Sequence, residues 1–288
     1  MAKTTIALIY DFDKTLSTTD MQEFDFIKNL GITPNEFWGN TGVLTNLHEM
    51  DRILAYMYMM VKKCKEKDIK LTREYLNKCG KNITLYRGVQ TWFERINLYA
   101  QSIGVNVEHY IISSGITEII EGTDIHKYFK KVYGCSFLYD DVTKEAIWPA
   151  MSINYTQKTQ YIFRISKGIL DVRDDNSLNK HMTERRIEYK NMIYIGDGLT
   201  DIPCMKLIRE KGGKAIALYP SGCKEKVSQL VADNRINYVC VADYSQSSTL
   251  EKIVKLMMEN MAIFGNLKER EDKQLAAFIK ASEVNVWR

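Results

Sequence analysis

Six short apolar segments, several of them nearly continuous, limit most strongly what this chain can fold into. They are Ile6–Tyr10, Glu108–Ser113, Lys131–Phe137, Met192–Ile195, Ala215–Leu218 and Tyr238–Val241. Unbroken apolar runs suit strands covered on both faces, as in parallel sheets. Helical spacing separates them, over Thr117–Ile120, Lys158–Ser166, Cys204–Glu210 and from Thr249 to about Phe264. Repeated strand–helix units predict an α/β fold with a doubly wound, mostly parallel, Rossmann-like sheet.

Residues 20–104 break this rhythm. Patterns such as D-R-I-L-A-Y-M-Y-M-M-V-K-K-C and G-V-Q-T-W-F-E-R-I-N-L-Y-A-Q are helical, and no convincing strand interrupts them. The expected organisation is a core of residues 1–19 and 105–250, an inserted helical domain of residues 20–104, and C-terminal helices over 251–288 that pack on the core. Ligands of open α/β sheets bind beyond the carboxyl ends of the strands. The insertion leaves from that end of the first strand, where it can act as a lid.

The amino-acid balance removes several function classes. Forty basic and 36 acidic residues give a net charge of +4. The densest basic run, Lys62, Lys63, Lys65 and Lys67, is interleaved with Glu66 and Asp68 and reads as a solvated helix face. A nucleic-acid protein would show a clustered basic face, so no nucleic-acid partner is expected. No stretch approaches the roughly 20 apolar residues that span a bilayer. The N-terminal M-A-K-T-T-I-A-L-I-Y-D is too short for a signal peptide and ends in an acid without a small-residue cleavage site. The six cysteines form no C-x-x-C pair and no zinc spacing with histidine. Reduced, mostly buried thiols and a cytoplasmic location are expected.

The first strand runs straight into Asp11-Phe12-Asp13. In an extended chain, residues two apart point to the same side. Two adjacent carboxylates repel, which raises one pKa unless a cation stabilises the ionised form. A D-x-D at a strand end also serves turns and caps, so alone it is ambiguous. A second strand ends in the same way, in M-I-Y-I-G-D-G-L-T-D-I-P-C-M. Asp197 sits there between Gly196 and Gly198, and Asp201 lies near a helix start, where it can cap the helix, serve the site, or both. The pattern G-x-G-x-x-D lacks the third glycine of a dinucleotide fingerprint, and Asp197 would repel a pyrophosphate. H-Y-I-I-S-S-G-I-T-E places Ser113 and Ser114 at another strand end, where a serine serves as an N-cap or as a donor to a phosphoryl oxygen. G-x-S-x-G is absent, which argues against a serine hydrolase. Lys158, in N-Y-T-Q-K-T-Q-Y-I-F-R-I, opens a helix, and most lysines so placed are simply solvated.

In the order D-F-D-K-T, I-S-S-G, Q-K-T and G-D-G-L-T-D, these segments resemble the four motifs of the haloacid dehalogenase superfamily. The resemblance covers roughly residues 5–245. The helical insertion matches that family's class I cap, and I-S-S-G-I is similar to the phosphoserine-phosphatase-type branch, with Ser114 where that branch usually has Gly. The resemblance implies a hydrolase of small-metabolite phosphomonoesters working through an aspartyl-phosphate. Asp11 would be the nucleophile and Asp13 the general acid and base. Mg²⁺ would be held by Asp11, the main-chain carbonyl of Asp13, and Asp197. Ser113, Ser114 and Lys158 would bind the phosphoryl group, while Thr15, Gly198 and Asp201 would support the site. Asp20 corresponds to an acid that contacts substrate in that branch, and it also reads as a helix cap.

Dehalogenases of the superfamily lack the second aspartate, and its ion pumps need membrane helices. A phosphotransferase or mutase on the same scaffold, or a non-catalytic phosphate-binding regulator, remain alternatives. Phe24, Phe37, Trp38, Arg52 and Tyr56 either line a leaving-group pocket or form the core of the insertion. The amphipathic C-terminal segment packs on the core or pairs two chains, so monomer and homodimer both stay open.

Overall fold

The computed structural model describes residues 3–182 and 184–285. Seven strands form one sheet: β1 (Thr5–Tyr10), β2 (Asn106–Ile116), β3 (Phe129–Tyr139), β4 (Ala146–Met151), β5 (Met192–Gly196), β6 (Lys214–Tyr219) and β7 (Tyr238–Val241). Their order is β4-β3-β2-β1-β5-β6-β7. Every neighbouring pair is parallel except β3 and β4. β1 is central, and Ile6 through Tyr10 are fully buried, as their unbroken apolar character requires. Tyr10 lies level with Ile111 of β2 and Ile195 of β5, so three strands end side by side. The chain builds outward from β1 to one side and then to the other, which places the switch in strand order at these ends.

Strand β4 has no counterpart among the expected strands. It is an exposed edge strand, A-I-W-P-A-M, apolar throughout but interrupted by Pro149 and with only Ala146 buried. Proline is tolerated on an edge because no ladder bond needs its missing N–H. β2 also runs three residues beyond Ser113, with an irregularity in its pairing between Ile112 and Ile116.

Four helices lie between β1 and the chain's return to the sheet: α1 (Asp25–Asn29), α2 (Pro34–His48), α3 (Arg52–Glu66) and α4 (Arg73–Gly80). Thr33, Asp51 and Thr72 cap α2, α3 and α4 by accepting backbone N–H bonds in the first turn. The methionine-rich face of α3 is core, with Met57, Met59 and Met60 buried beside Tyr56 and Cys64. The outgoing and returning segments pair, Thr18 N–H donating to Thr84 O at 3.0 Å and Tyr86 N–H to Leu16 O at 2.9 Å. Arg73 of α4 ties this block to the sheet side through Glu118 at 3.4 Å and Glu121 at 3.6 Å.

Helix α5 (Val89–Ser102), grouped with the insertion by its sequence pattern, packs on the sheet. Trp92 is fully buried and its indole N–H donates to the Tyr10 hydroxyl at 2.9 Å, while Phe93 meets Tyr10 edge to face. An amphipathic pattern reports that one face is covered, and it does not report by what. The remaining helices are α6 (Thr117–Glu121), α7 (Lys158–Lys167), α8 (Asp175–Asn179), α9 (Ile202–Glu210), α10 (Ser228–Ala232) and α11 (Thr249–Asn285). The C-terminal segment is thus one continuous helix where several were expected. Among the described residues no helix is long and apolar enough to cross a membrane. All six cysteines are free thiols, and all but Cys223 are buried.

Candidate active site

The ends of β1, β2 and β5, with the start of α7, bring the sequence-derived residues together. Asp11 leaves β1 with its N–H still bonded to Ile195 O at 3.0 Å. That bond fixes Asp11 against β5, which carries Asp197 at its end. Carboxylate oxygens of Asp11, Asp197 and Asp201 all lie within 4.8 Å of one another. Asp11 and Asp201 are buried, at 5 % and 0 % exposure, so their repulsion is only weakly screened.

Lys158 is the counter-charge built into this cluster. It is fully buried, with Nζ 2.8 Å from Asp201 Oδ1 and 3.1 Å from Asp11 Oδ1. Burial alone would lower the lysine pKa, but the two carboxylates outweigh it and hold the ammonium charged well above its ordinary range. One ammonium does not balance three acids. Burial, and then the charge of Asp201, push Asp11 up to about 7 and Asp197 up to about 8. The site therefore has an affinity for positive charge that a proton or a metal ion can satisfy.

The two acids of the first motif have separate surroundings. Asp11 Oδ1 accepts from Phe12 N–H at 2.8 Å as well as facing Lys158. Asp13 Oδ1 accepts instead from Met21 N–H at 2.7 Å, where the inserted block begins. Enclosure by protein, then Asp20 and Asp11, raise the Asp13 pKa well above the usual carboxylate range. The Asp13 carboxylate is not part of the three-acid cluster, so the two acids of this motif sit in different chemical surroundings.

Supporting contacts lock this arrangement. Thr15 Oγ1 donates to Asp197 Oδ1 at 3.2 Å, and Thr15 O accepts from the buried Tyr244 hydroxyl at 2.8 Å. Asp201 accepts from the Tyr194 hydroxyl at 2.7 Å and from Gly198 N–H at 3.4 Å, besides Lys158. A Cβ on Gly196 would stand 2.4 Å from Asp201 Oδ2, whereas one on Gly198 would meet open space. The steric need therefore falls on Gly196, and Gly198 contributes its N–H. Ser113 is buried and its Oγ accepts from Gly115 N–H at 2.9 Å, while the buried Ser114 Oγ has no protein partner among the described residues. Asp20 makes no side-chain cap bond; it pairs with Lys14 at 2.6 Å.

Above the strand ends lies a cavity of 940 Å³ between the core and the helical insertion. Asp13, Asp20 and Ser114 line its floor, and Trp38, Arg52 and Tyr56 line its roof. Phe24 and Phe37 are buried in the insertion, so the five candidate pocket residues divide between lining and core. Tyr56 joins the two sides, its hydroxyl donating to Ser114 O at 2.7 Å.

Sequence reasoning missed four contributors: Lys14, Met21, Tyr194 and Tyr244. Tyr194 carried a usable signal, because a tyrosine inside an unbroken strand run needs a buried acceptor. Met21 acts through its backbone, which side-chain chemistry cannot reveal.

Comparison with known proteins agrees with this geometry. A family model for haloacid dehalogenase-like hydrolases matches residues 8–206. An uncharacterized protein of Borreliella burgdorferi is 25% identical over 285 residues, covering 90% of this chain and 97% of that protein. A substrate-bound phosphoserine phosphatase superposes with a TM-score of 0.54 at 14% identity, over 88% of this chain and 99% of the other. A probable phosphoserine phosphatase from Vibrio cholerae gives 0.53 at 13% identity, over 92% and 67%. At such identities the structural likeness speaks for the fold. The family match encloses every motif from Asp11 to Asp201 and spans most of the sequence: the chain belongs to the haloacid dehalogenase-like hydrolase family.

Proposed function

We propose that this protein is a Mg²⁺-dependent phosphatase that hydrolyses a small-metabolite phosphomonoester through an aspartyl-phosphate on Asp11. The observation that carries this reading is the convergence of Asp11, Asp197 and Lys158 beneath the cavity, with Asp13 held apart by Met21.

The donor set fits a hard cation. Asp11 and Asp197, with the main-chain carbonyl of Asp13, would hold Mg²⁺, and oxygen ligands with few carboxylates suit that ion. When bound, it supplies neutralisation of the charge on the acids and on the phosphoryl oxygens. Asp11 Oδ1 accepts from Phe12 N–H and faces Lys158, and the fixed Asp11 carboxylate supplies the attacking oxygen. Its bond to phosphorus forms as the bond to the leaving oxygen breaks, and Asp13 delivers its proton to that oxygen. Burial, then Asp20 and Asp11, raise the Asp13 pKa, which favours the protonated form that a donor needs. Asp13, now ionised, takes a proton from water, whose oxygen displaces Asp11 from phosphorus and releases phosphate. Lys158 and the Ser113 hydroxyl, which accepts from Gly115 N–H and keeps its own proton to donate, stabilise the transferring group.

The test is a panel of phosphomonoesters assayed with Mg²⁺, with EDTA, and with Asp11→Asn. Release of inorganic phosphate that needs both the metal and Asp11 is the expected result. Wild type and Asp11→Asn equally inactive on every compound would sink the reading. Hydrolysis without an added acceptor separates it from phosphoryl transfer.

A further inference from the structure

Helix α11 has two halves with different surroundings. Its first half is anchored: Leu250, Val254, Met257, Met258 and Met261 are buried, and Gly265 lies against Thr4, where a Cβ would stand 2.1 Å from the Thr4 hydroxyl. Beyond Gly265 the helix runs to Asn285, about 30 Å at 1.5 Å per residue, and from Asn266 to Ile279 its side chains are largely exposed. That length carries a stripe of large apolar groups, Phe264 (58 % exposed), Leu267 (57 %), Leu275 (56 %) and Phe278 (77 %). A lone helix of this length in water is marginal, and its stability normally comes from packing an apolar face.

The order of the stripe names what covers it. Phe264, Leu267, Glu271, Leu275 and Phe278 lie within about 40° of one line along the helix. The series reads the same in both directions about Glu271: Leu four residues to each side, Phe seven to each side. An antiparallel copy with its two-fold axis at Glu271 sets Phe264 against the partner's Phe278 and Leu267 against the partner's Leu275. The same register sets Arg270 against the partner's Asp272, so opposite charges flank the apolar seam twice. Such a face is complementary to itself, as an isologous interface must be.

A second feature agrees with this register. Beside Phe264 a groove of 510 Å³ continues the stripe back toward the body, lined by Tyr238, Ile253, Leu256, Asn260 and Phe264, with Lys214 at its side. Leu256 in that groove is 63 % exposed. In the antiparallel arrangement the partner's helix, continuing past Phe278, runs along this groove. We infer that the distal half of α11 is a dimerisation arm, and that its occupant is the same arm of a second copy in antiparallel register about Glu271. The like-charged Glu271 pair at the axis opposes association, so the dimer is one that single substitutions can tighten or loosen.

Sedimentation of the full chain over a concentration series tests the inference. The wild type is expected to dimerise by about 100 µM, and Leu267→Glu with Leu275→Glu to weaken association at least about tenfold. Glu271→Leu is expected to tighten it. Phosphate release by these variants, measured at a concentration where all are monomeric, serves as the folding control. Register is read by disulfide trapping in a Cys223→Ser background: a mixture of Phe264→Cys and Phe278→Cys chains should cross-link one to the other, and neither alone to itself. A wild type monomeric at about 100 µM, a dimer indifferent to the two glutamates, or cross-linking of Phe264→Cys to itself would each overturn the proposal.

Discussion

Replacing Lys158 by Met keeps much of the side-chain volume and removes the ammonium from among three acids. The magnitude follows from geometry. At the 2.8 and 3.1 Å separations from Asp201 and Asp11, each pair interacts by roughly 5–6 kcal/mol at an effective dielectric of about 20. Part of this is offset by the desolvation of Lys158, which is wholly buried. What the variant leaves is a buried, uncompensated charge, and breaking such a pair typically costs about 3–5 kcal/mol. At about 2–4 °C per kcal/mol for a chain of this size, the midpoint falls by roughly 10 °C.

The dependence on pH has a definite sign. Asp11 and Asp197 titrate in the folded protein near 7 and 8, above their ordinary value of 3.8, so the folded state binds protons more tightly than the unfolded one. Their contribution is complete below about 4 and is lost as pH rises through 7 to 8. Without Lys158 the acids lean still more on protons, so the deficit should be larger at pH 8 than at pH 6. Urea unfolding in EDTA at both pH values measures it, and Asp201→Asn in the Lys158→Met background should recover part of the loss. A deficit below about 1 kcal/mol at pH 8, or equal deficits at both values, would refute the claim that Lys158 is the internal counter-charge.

Three further outcomes follow. Mg²⁺ should raise the melting temperature of the wild type more at pH 8 than at pH 6, because metal and protons compete for Asp11 and Asp197; differential scanning fluorimetry with and without the ion shows the difference. Gly115→Ala would place a Cβ 2.0 Å from Met21 Cε and 3.0 Å from Asp13 Oδ2, and should lower kcat about 10–100-fold by displacing the proton donor; a kcat within twofold of wild type counts against that role. Trp92→Ala removes a fully buried indole and its bond to Tyr10, and should cost about 3–5 kcal/mol in chemical denaturation.

The strands that carry the chemistry were readable because each is an unbroken apolar run ending in a polar residue. Burial on both faces and a functional residue at the strand end both leave local marks in sequence. Asp11, Asp13, Ser113 and Asp197 stand out for this reason, whereas Lys158, at the start of a helix, stands out only by its place in the order of the motifs. β4 was not readable, since the proline within A-I-W-P-A-M reads against a strand although the segment is apolar throughout. The placement of α5 depended on which neighbour covers its apolar face, a tertiary fact. The role of Asp201 was open between cap and site; three donors, from Lys158, Tyr194 and Gly198, now account for it. Lys14 reaches Asp20 from a backbone with φ of +56°, a local geometry that no residue spacing announces.

The hydrogen bond from Met21 to Asp13 makes this carboxyl answerable to the roof. Tilting the helices over the cavity drags the one amide that orients this carboxyl, while Asp11, anchored to β5, stays still. In the proposed reaction, attack would answer to the sheet and protonation to the roof, and the two would fall into line when the occupant of the cavity seats the roof. Under that proposal, discrimination among leaving groups would be exerted on turnover itself as well as on residence.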